Sequence, residues 1–110
     1  MVQLHSMINF DDFQKVEIQI GTIIEAVPVD NSEKLLKLTV DFGEEKRQVL
    51  SGIAKFYSPE DLIDKQFTFV TNLEPRQIMG LESQAMILAG GDQASLLTPI
   101  NTVPNGTRIR

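Results

Sequence analysis

The segment Val16-Glu17-Ile18-Gln19-Ile20-Gly21-Thr22-Ile23-Ile24 decides the fold class. Its first five residues alternate between apolar and polar, which is the period of a half-buried β-strand. Beyond Gly21 the phase changes, because Ile23 and Ile24 both read as buried. A bulge or sharp bend at Gly21 would reconcile the two phases, as the corners of β-barrels require. The segment therefore predicts the bent first strand of a barrel.

Four further strands follow from the same kind of pattern. They are predicted over residues 36–42, 47–53, 67–70 and 85–89. Between strands three and four, Ser58-Pro59-Glu60-Asp61 combines an N-cap hydroxyl, a proline at the first helical position and acids over the positive end of the dipole. We expect this helix to end near Lys65. Five strands with a helix between the third and fourth is the arrangement of an all-β OB-fold barrel.

The two ends of the chain read differently from the barrel. Asn9 is expected to cap a short helix, with Phe10 and Phe13 facing inward. Residues 94–110 read as extended pieces joined by turns, with more apolar side chains than a tail on a closed barrel needs. These side chains are Leu96, Leu97, Ile100, Val103 and Ile109. We expect them to pair with the same surface of a second copy in a homodimer.

Composition limits the possible functions. A chain of 110 residues without cysteine is one domain, residues 1–110, whose core needs no disulfide or metal. The single histidine, His5, argues against a transition-metal site and against a Ser-His-Asp triad. The apolar runs are too short to span a bilayer, and the N-terminus lacks a signal-peptide pattern. We therefore expect a cytoplasmic protein with no cofactor and no membrane partner.

Acidic residues do not form a catalytic pattern. The neighbouring carboxylates Asp11-Asp12, Glu44-Glu45 and Glu60-Asp61 fall in predicted turns or at a helix start, where solvated or capping acids are common. The chain has no glycine-rich phosphate loop of the nucleotide-binding types. We expect that it is not an enzyme by itself.

The charge balance argues against simple electrostatic binding to a polyanion. Ten basic residues against fifteen acidic residues give a net charge of −5. A protein that binds a phosphate backbone by counterion release is usually basic, at least locally. Acids are interspersed among the cations of this chain, so the sequence shows no basic stripe. If RNA binds, shape and a few contacts must supply more of the affinity than bulk charge does.

Three motifs occur in a recognisable order. They are Asn31-Ser32-Glu33-Lys34-Leu35-Leu36-Lys37-Leu38, then Ser51-Gly52-Ile53-Ala54-Lys55, then Asn72-Leu73-Glu74-Pro75-Arg76-Gln77-Ile78-Met79-Gly80-Leu81-Glu82-Ser83-Gln84-Ala85-Met86. From about Phe10 to Arg110 the chain resembles the tRNA-binding domain at the C-terminus of many methionyl-tRNA synthetases. The same domain occurs as small free-standing dimeric bacterial tRNA-binding proteins.

The resemblance implies a set of tRNA-binding residues. They are Lys34, Ser51, Gly52, Lys55, Asn72, Arg76, Met79, Ser83 and Met86. Several also have ordinary structural interpretations. Lys34 could simply face solvent, Asn72 could satisfy backbone groups at a strand end, and either methionine could fill the core. We expect Arg76 and Ser83 on the surface.

The resemblance also implies a function. Such domains recognise the corner of the L-shaped tRNA and deliver or retain it for methionyl-tRNA synthetase. One alternative is a dimeric secretion-type chaperone on the same barrel, whose members generally lack the Asn-x-x-Lys-Leu-Leu loop present here at Asn31–Leu36. Another is an expressed domain of a full-length synthetase, since Met1 and residues 2–8 suit either a complete protein or a cloned domain.

Overall fold

The computed structural model describes residues 6–110, so His5 lies outside the described residues. In chain order the elements are α1 (Phe10–Gln14), β1 (Ile18–Pro28), β2 (Leu36–Asp41), β3 (Lys46–Ser51), α2 (Pro59–Leu62), β4 (Gln66–Val70), β5 (Arg76–Ile78), β6 (Leu81–Ser83), β7 (Met86–Ile87), β8 (Ala89–Gly90) and β9 (Ser95–Leu96). Five strands form one sheet in the order β3-β2-β1-β4-β7, and every pairing in it is antiparallel. The pairs β5–β6 and β8–β9 form two small sheets.

The five-stranded sheet curls until β3 meets the chain segment 82–86. The amide of Gln84 donates to the carbonyl of Gln48 at 2.8 Å. The amide of Gln48 in turn donates to the side-chain Oε1 of Gln84 at 3.0 Å. Side-chain hydrogen bonds therefore replace part of the regular ladder at this seam. The result is a nearly closed five-stranded β-barrel, which confirms the predicted OB-fold class.

The bulge of β1 and its glycine lie at different positions, although the sequence predicted both at Gly21. The pairing of β1 with β2 shifts register between Ile23 and Glu25, so the bulge lies three residues later than predicted, at Ile24. Gly21 has a different role. A Cβ atom there would lie 2.6 Å from Cγ1 of Val40 and 2.8 Å from the ring of Phe42. Because Gly21 has no side chain, Val40 and Phe42 can pack closely against the backbone of β1.

The core is filled by the inward residues of the alternating strands. Ile23, Leu38, Val40, Val49 and Phe69 are each fully buried. Phe69 also packs edge-on against Phe42, with ring centroids 5.3 Å apart. Leu62, the buried residue of α2, belongs to the same core cluster. The side-chain alternation that predicted the strands is therefore the alternation of barrel interior and surface.

Both predicted helices form, with corrections. Asn9 caps α1 by accepting a hydrogen bond from the amide of Asp12 at 2.8 Å, but Phe10 is 63% exposed rather than inward-facing. At α2 the amide and hydroxyl of Ser58 both donate to the carboxylate of Asp61, and these bonds lower the pKa of Asp61. That helix ends at Leu62, short of the predicted end.

The early end of α2 has a structural cause in β1. The amide of Asp64 donates to the carbonyl of Ile23 at 2.7 Å, and the carbonyl of Lys65 accepts from the amide of Ile23. These residues are held by the barrel wall at its bulge and cannot continue a helix. Asp64 adopts a positive φ of 67° to make the turn.

The C-terminal segment returns to the first strand. The predicted fifth strand is broken at Leu88 into β7 and β8, and β8 pairs with β9. Further on, the amide of Ile20 donates to the carbonyl of Thr107, and the amide of Ile109 donates to the carbonyl of Ile18. The extended end of the chain therefore lies along β1, beyond the point where β2 leaves it.

Candidate nucleic-acid interface

The first group of predicted binding residues lies at one end of β3. The amide of Ala54 donates to the carbonyl of Lys34 at 2.9 Å, which holds the β1–β2 loop against the segment that follows β3. The hydroxyl of Ser32 accepts from the amides of Lys34 and Leu35 and so fixes the loop itself. Four predicted residues share this place, which we call the loop rim: Lys34, Ser51, Gly52 and Lys55.

Gly52 is not explained by packing within the protomer. A Cβ atom added there would meet no other atom within 4 Å, and the residue is exposed. Ser51, its neighbour, is half-buried opposite Leu36, and its side chain makes no hydrogen bond to a described residue. The loop rim therefore offers an open backbone and a free hydroxyl side by side.

The second group surrounds a small groove beside the hairpin formed by β5 and β6. The groove has a volume of about 100 Å³, and we call it the hairpin groove. It is lined by Leu50, Leu73, Glu74, Arg76, Ile78, Ser83, Ala85 and Met86. Leu50 precedes Ser51 on β3, so the hairpin groove adjoins the loop rim. The structure thus brings Arg76, Ser83 and Met86 together and places them next to the first group.

Ser83 corrects a prediction, because it is buried at 7% exposure rather than placed on the surface. Its Oγ accepts from the amide of Leu50 at 3.0 Å and donates to the carbonyl of Ala85 at 3.1 Å. Both capacities of the hydroxyl are used inside the protein. Ser83 joins the hairpin to β3 and helps close the barrel.

The side chain of Asn72 satisfies backbone groups at a strand end, which is one of the roles that the sequence left open. Its side-chain oxygen accepts from the amide of Glu17 at 2.8 Å, and its side-chain nitrogen donates to the carbonyl of Lys15 at 2.6 Å. The side chain therefore ties the end of β4 to the chain entering β1. Asn72 is exposed, but its hydrogen-bonding groups are largely committed.

The two methionines face outward. Met79 is 56% exposed at the tip of the hairpin, and Met86 is 45% exposed at the edge of the groove. The alternation of β7 explains Met86, since the next residue, Ile87, is buried. Leu73 is a further exposed apolar residue on this face, at 48% exposure, and the sequence analysis did not select it or Glu74. Their position between Asn72 and Arg76 in the third motif was the available signal.

The cations of this face differ sharply from Arg47. The guanidinium of Arg47 donates to the carbonyl of Gln84 and to the carboxylate of Glu45, so it is used within the fold. By contrast, the side chains of Lys34, Lys55 and Arg76 make no hydrogen bond or ion pair with any described residue. All three are exposed. They remain available for phosphate oxygens.

Two kinds of feature, a cluster of metal-binding side chains and a membrane-spanning helix, were sought among the described residues. Residues 6–110 contain no cluster of three or more histidine, cysteine, aspartate or glutamate side chains that could hold a metal ion. Among the same residues, no helix is long and apolar enough to cross a membrane.

Comparison with known sequences identifies the family. Residues 18–108 match the family described as "Putative tRNA binding domain". The methionine–tRNA ligase of Methanoregula boonei is 54% identical over 104 residues, which are 94% of this chain but 16% of that protein. This chain therefore spans only a small part of the curated relatives that it matches. The family is a binding module, which confirms the expectation that the chain is not by itself an enzyme.

Solved structures extend the comparison over the whole fold. A methionyl-tRNA synthetase related protein from Pyrococcus horikoshii matches with a TM-score of 0.87 at 37% identity, over 96% of this chain and 99% of that one. The chaperone CsaA from Bacillus anthracis matches with a TM-score of 0.86 at 35% identity, over 96% of this chain and 100% of that one. By sequence and by fold, the chain belongs to the tRNA-binding domain family and is homologous to part of methionyl-tRNA synthetases.

Proposed function

We propose that this chain is a non-catalytic module that binds tRNA through the loop rim and the hairpin groove. The observation that carries the proposal is that three cations on this one face, Lys34, Lys55 and Arg76, are exposed and have no internal partners. They stand beside exposed apolar side chains of the third motif. Phosphates, 2′-hydroxyls and unstacked bases are the groups by which a protein recognises RNA shape without reading a duplex sequence.

The acidic net charge sets the expected salt dependence. The acidic balance of the chain permits roughly two to four phosphate neutralisations, of which these cations supply up to three, so log affinity should fall with log salt at a slope of about −1.5 to −3.5. A fluorescence titration of mixed tRNAs at several salt concentrations would measure the slope. A much steeper slope would mean that cations outside this face also bind the backbone.

Single substitutions test the location of the site. Arg76→Ala, Lys34→Ala and Lys55→Ala should each weaken tRNA binding by about 1.5–3 kcal/mol, the range for a charge-assisted contact. Lys46→Ala is the matched control, because Lys46 begins β3 while the loop rim lies at its other end, about 17 Å away along the strand. Equal losses in the control and the site variants would move the site away from this face.

We further propose that the module serves methionyl-tRNA synthetase in the cytoplasm, by delivering or retaining tRNA during translation. Its homology to part of methionine–tRNA ligases supports this role. A tRNA-binding module linked to or associated with an enzyme raises the local concentration of substrate, which adds affinity without new contacts at the active site. Addition of the chain to a synthetase lacking such a domain should lower the KM for tRNA and leave kcat nearly unchanged.

A homodimer is the third part of the proposal. Of the five C-terminal apolar side chains expected to pair, Leu96 packs against the core of its own barrel, whereas Leu97 and Ile109 lie on the surface. They belong to one surface with apolar side chains from the other end of the chain, which we call the terminal apolar face: Phe10, Val16, Ile18, Leu97 and Ile109. Ile109 borders two adjoining depressions there, one with Phe10 and Val16, the other with Ile18 and Leu97. A contiguous apolar surface is typical of a self-complementary two-fold interface.

A chaperone role is the second candidate, favoured by the close match to CsaA over the whole chain. One competition experiment separates the two roles. The chain is titrated with labelled tRNA at low salt, and an unfolded polypeptide such as reduced, alkylated lactalbumin is added. Binding of the polypeptide with no affinity for tRNA would favour the chaperone role and contradict the tRNA-binding role.

A further inference from the structure

The hairpin groove contains two opposite charges that do not form an ion pair with each other. Glu74 and Arg76 both line it and are two residues apart. Neither side chain makes an ion pair or hydrogen bond with a described residue. The lining of the groove also includes the buried apolar residues Leu50 and Ala85. The groove therefore suits a ligand with an anionic group, a flat apolar body and hydrogen-bond donors at another edge.

Two exposed apolar side chains border this groove. Leu73 and Met86 line it and are 48% and 45% exposed. Each can cover one side of a flat ring, and the methionine thioether is flexible and polarisable enough to adapt to an aromatic surface. Half-exposed apolar groups lose water when such a ring enters, which favours its binding.

We propose that the hairpin groove binds one unpaired nucleotide of RNA and selects its base. The base lies between Leu73 and Met86, its phosphate contacts Arg76, and its amino-bearing edge donates to the carboxylate of Glu74. This inference rests on the tRNA-binding function proposed above and names a specific contact within it.

The carboxylate is the reason for inferring base selection rather than backbone contact alone. A surface that bound only phosphates would lose affinity from a negative charge beside Arg76. Glu74 can accept hydrogen bonds but cannot donate them. Guanine offers two adjacent donors, N1–H and the N2 amino group, whereas adenine and cytosine offer one amino group. Uracil offers one N–H flanked by two carbonyl oxygens, which repel a carboxylate. Guanine should therefore bind best and uracil worst.

Methyl NMR of methionine gives a direct readout. The chain contains four methionines, so a sample labelled with ¹³C at the methionine methyl groups gives few signals, and Met86→Leu assigns the one at the groove. Titration with GMP, AMP, CMP and UMP keeps the phosphate constant and varies the base. We expect the Met86 signal to move upfield under the ring of the base. Half-saturation with GMP should require at least about fivefold less ligand than with UMP, the lower end of a bidentate base contact.

Glu74→Gln is the decisive variant. An amide both donates and accepts, so the preference for GMP over UMP should fall to nearly one while the phosphate contact at Arg76 persists. The matched control is Glu44→Gln, which makes the same charge change at an exposed residue between β2 and β3. It should keep the full preference. Equal preferences in Glu74→Gln and the unchanged chain would overturn the inference.

A parallel gel shift with tRNA keeps the two proposals separate. Binding of tRNA without any response of Met86 to nucleotides would overturn the base-selecting groove and leave the tRNA-binding function standing. Absence of tRNA binding would overturn both. A lysine-containing tripeptide that moves the Met86 signal where nucleotides do not would overturn the inference and assign the groove to peptide binding.

Discussion

Ser83 and Ser51 can be compared to distinguish a hydroxyl that stabilises the fold from one that is free to bind RNA. Ser83→Ala would leave the amide of Leu50 without its partner inside the barrel, so the free energy of unfolding should fall by about 1–3 kcal/mol. Urea denaturation measures this change. Ser51→Ala is the matched control, because that hydroxyl makes no hydrogen bond to a described residue, and stability should stay within about 0.5 kcal/mol. Equal unfolding midpoints for the two variants would contradict the role assigned to Ser83.

The neighbouring residues Met86 and Ile87 test the two faces of β7. Met86 is 45% exposed and Ile87 is buried. Ile87→Ala should cost about 2–5 kcal/mol of folding stability, as buried truncations do, while Met86→Ala should cost much less. Met86→Ala should instead weaken tRNA binding. Thermal denaturation and a gel shift on both variants provide the measurements, and a large fall in stability for Met86→Ala with intact affinity would place it in the core.

The orientation of Met86 follows the alternation of β7, whereas that of Ser83 follows no local pattern. Met86 and Ile87 are both apolar, so the sequence left open which of the two faces outward, and the structure places Met86 outside and Ile87 inside. Ser83 precedes Ala85 and Met86 in a segment that crosses from the hairpin into the barrel wall, where the direction of each side chain depends on the seam with β3. That seam joins residues far apart in the chain and leaves no local pattern to read.

At the scale of elements, the close packing of β1 against the core can be tested by comparing two glycines. Gly21→Ala would place a Cβ atom 2.6 Å from Val40, so the strand must shift or the core must repack, at about 1–3 kcal/mol. Gly52→Ala meets nothing within 4 Å and should be tolerated. Chemical denaturation of both variants measures the contrast. If Gly52→Ala weakens tRNA binding with its stability intact, the open backbone of the loop rim is used by RNA.

The β5–β6 hairpin is an element that the sequence did not predict. Its turn is Met79-Gly80, and both residues have positive φ, 51° and 79°. Such turns usually carry asparagine or aspartate before the glycine, so a methionine there gives little signal. The strands are also only three residues long, too short to show an alternation. By contrast, β2 was predictable because its six residues alternate between apolar and polar. The start of α2 was predictable because Ser58-Pro59-Glu60-Asp61 is a full capping sequence.

At the scale of the whole molecule, composition and structure give different views of charge. The net charge is −5, and acids interspersed among the cations leave no basic stripe in the sequence. The net charge does not indicate which cations lack a partner within the protein. Arg47 donates hydrogen bonds to Glu45 and Gln84, whereas Arg76 has no partner among the described residues. Whether a cation can bind phosphate depends on its partners in space, and composition counts every charge equally.

The terminal apolar face predicts that two copies of the chain associate. Phe10 is 63% exposed, Leu97 48% and Ile109 38%, on parts of the chain that the barrel itself does not need to cover. Pairing of this face with its own copy would bury all three in each protomer. Sedimentation should therefore give twice the protomer mass of 12.3 kDa at micromolar concentration.

Substitution within this face should separate the protomers. Leu97→Asp and Ile109→Asp each place a charge where it would be desolvated in the dimer, so both should shift the mass to 12.3 kDa. Gln93→Asp is the matched control, since it adds the same charge at an exposed turn between β8 and β9. The unchanged chain sedimenting at the protomer mass would contradict the dimer. Monomeric variants that still bind tRNA would show that each barrel carries a complete loop rim and hairpin groove, and that pairing raises affinity only by presenting two of them together.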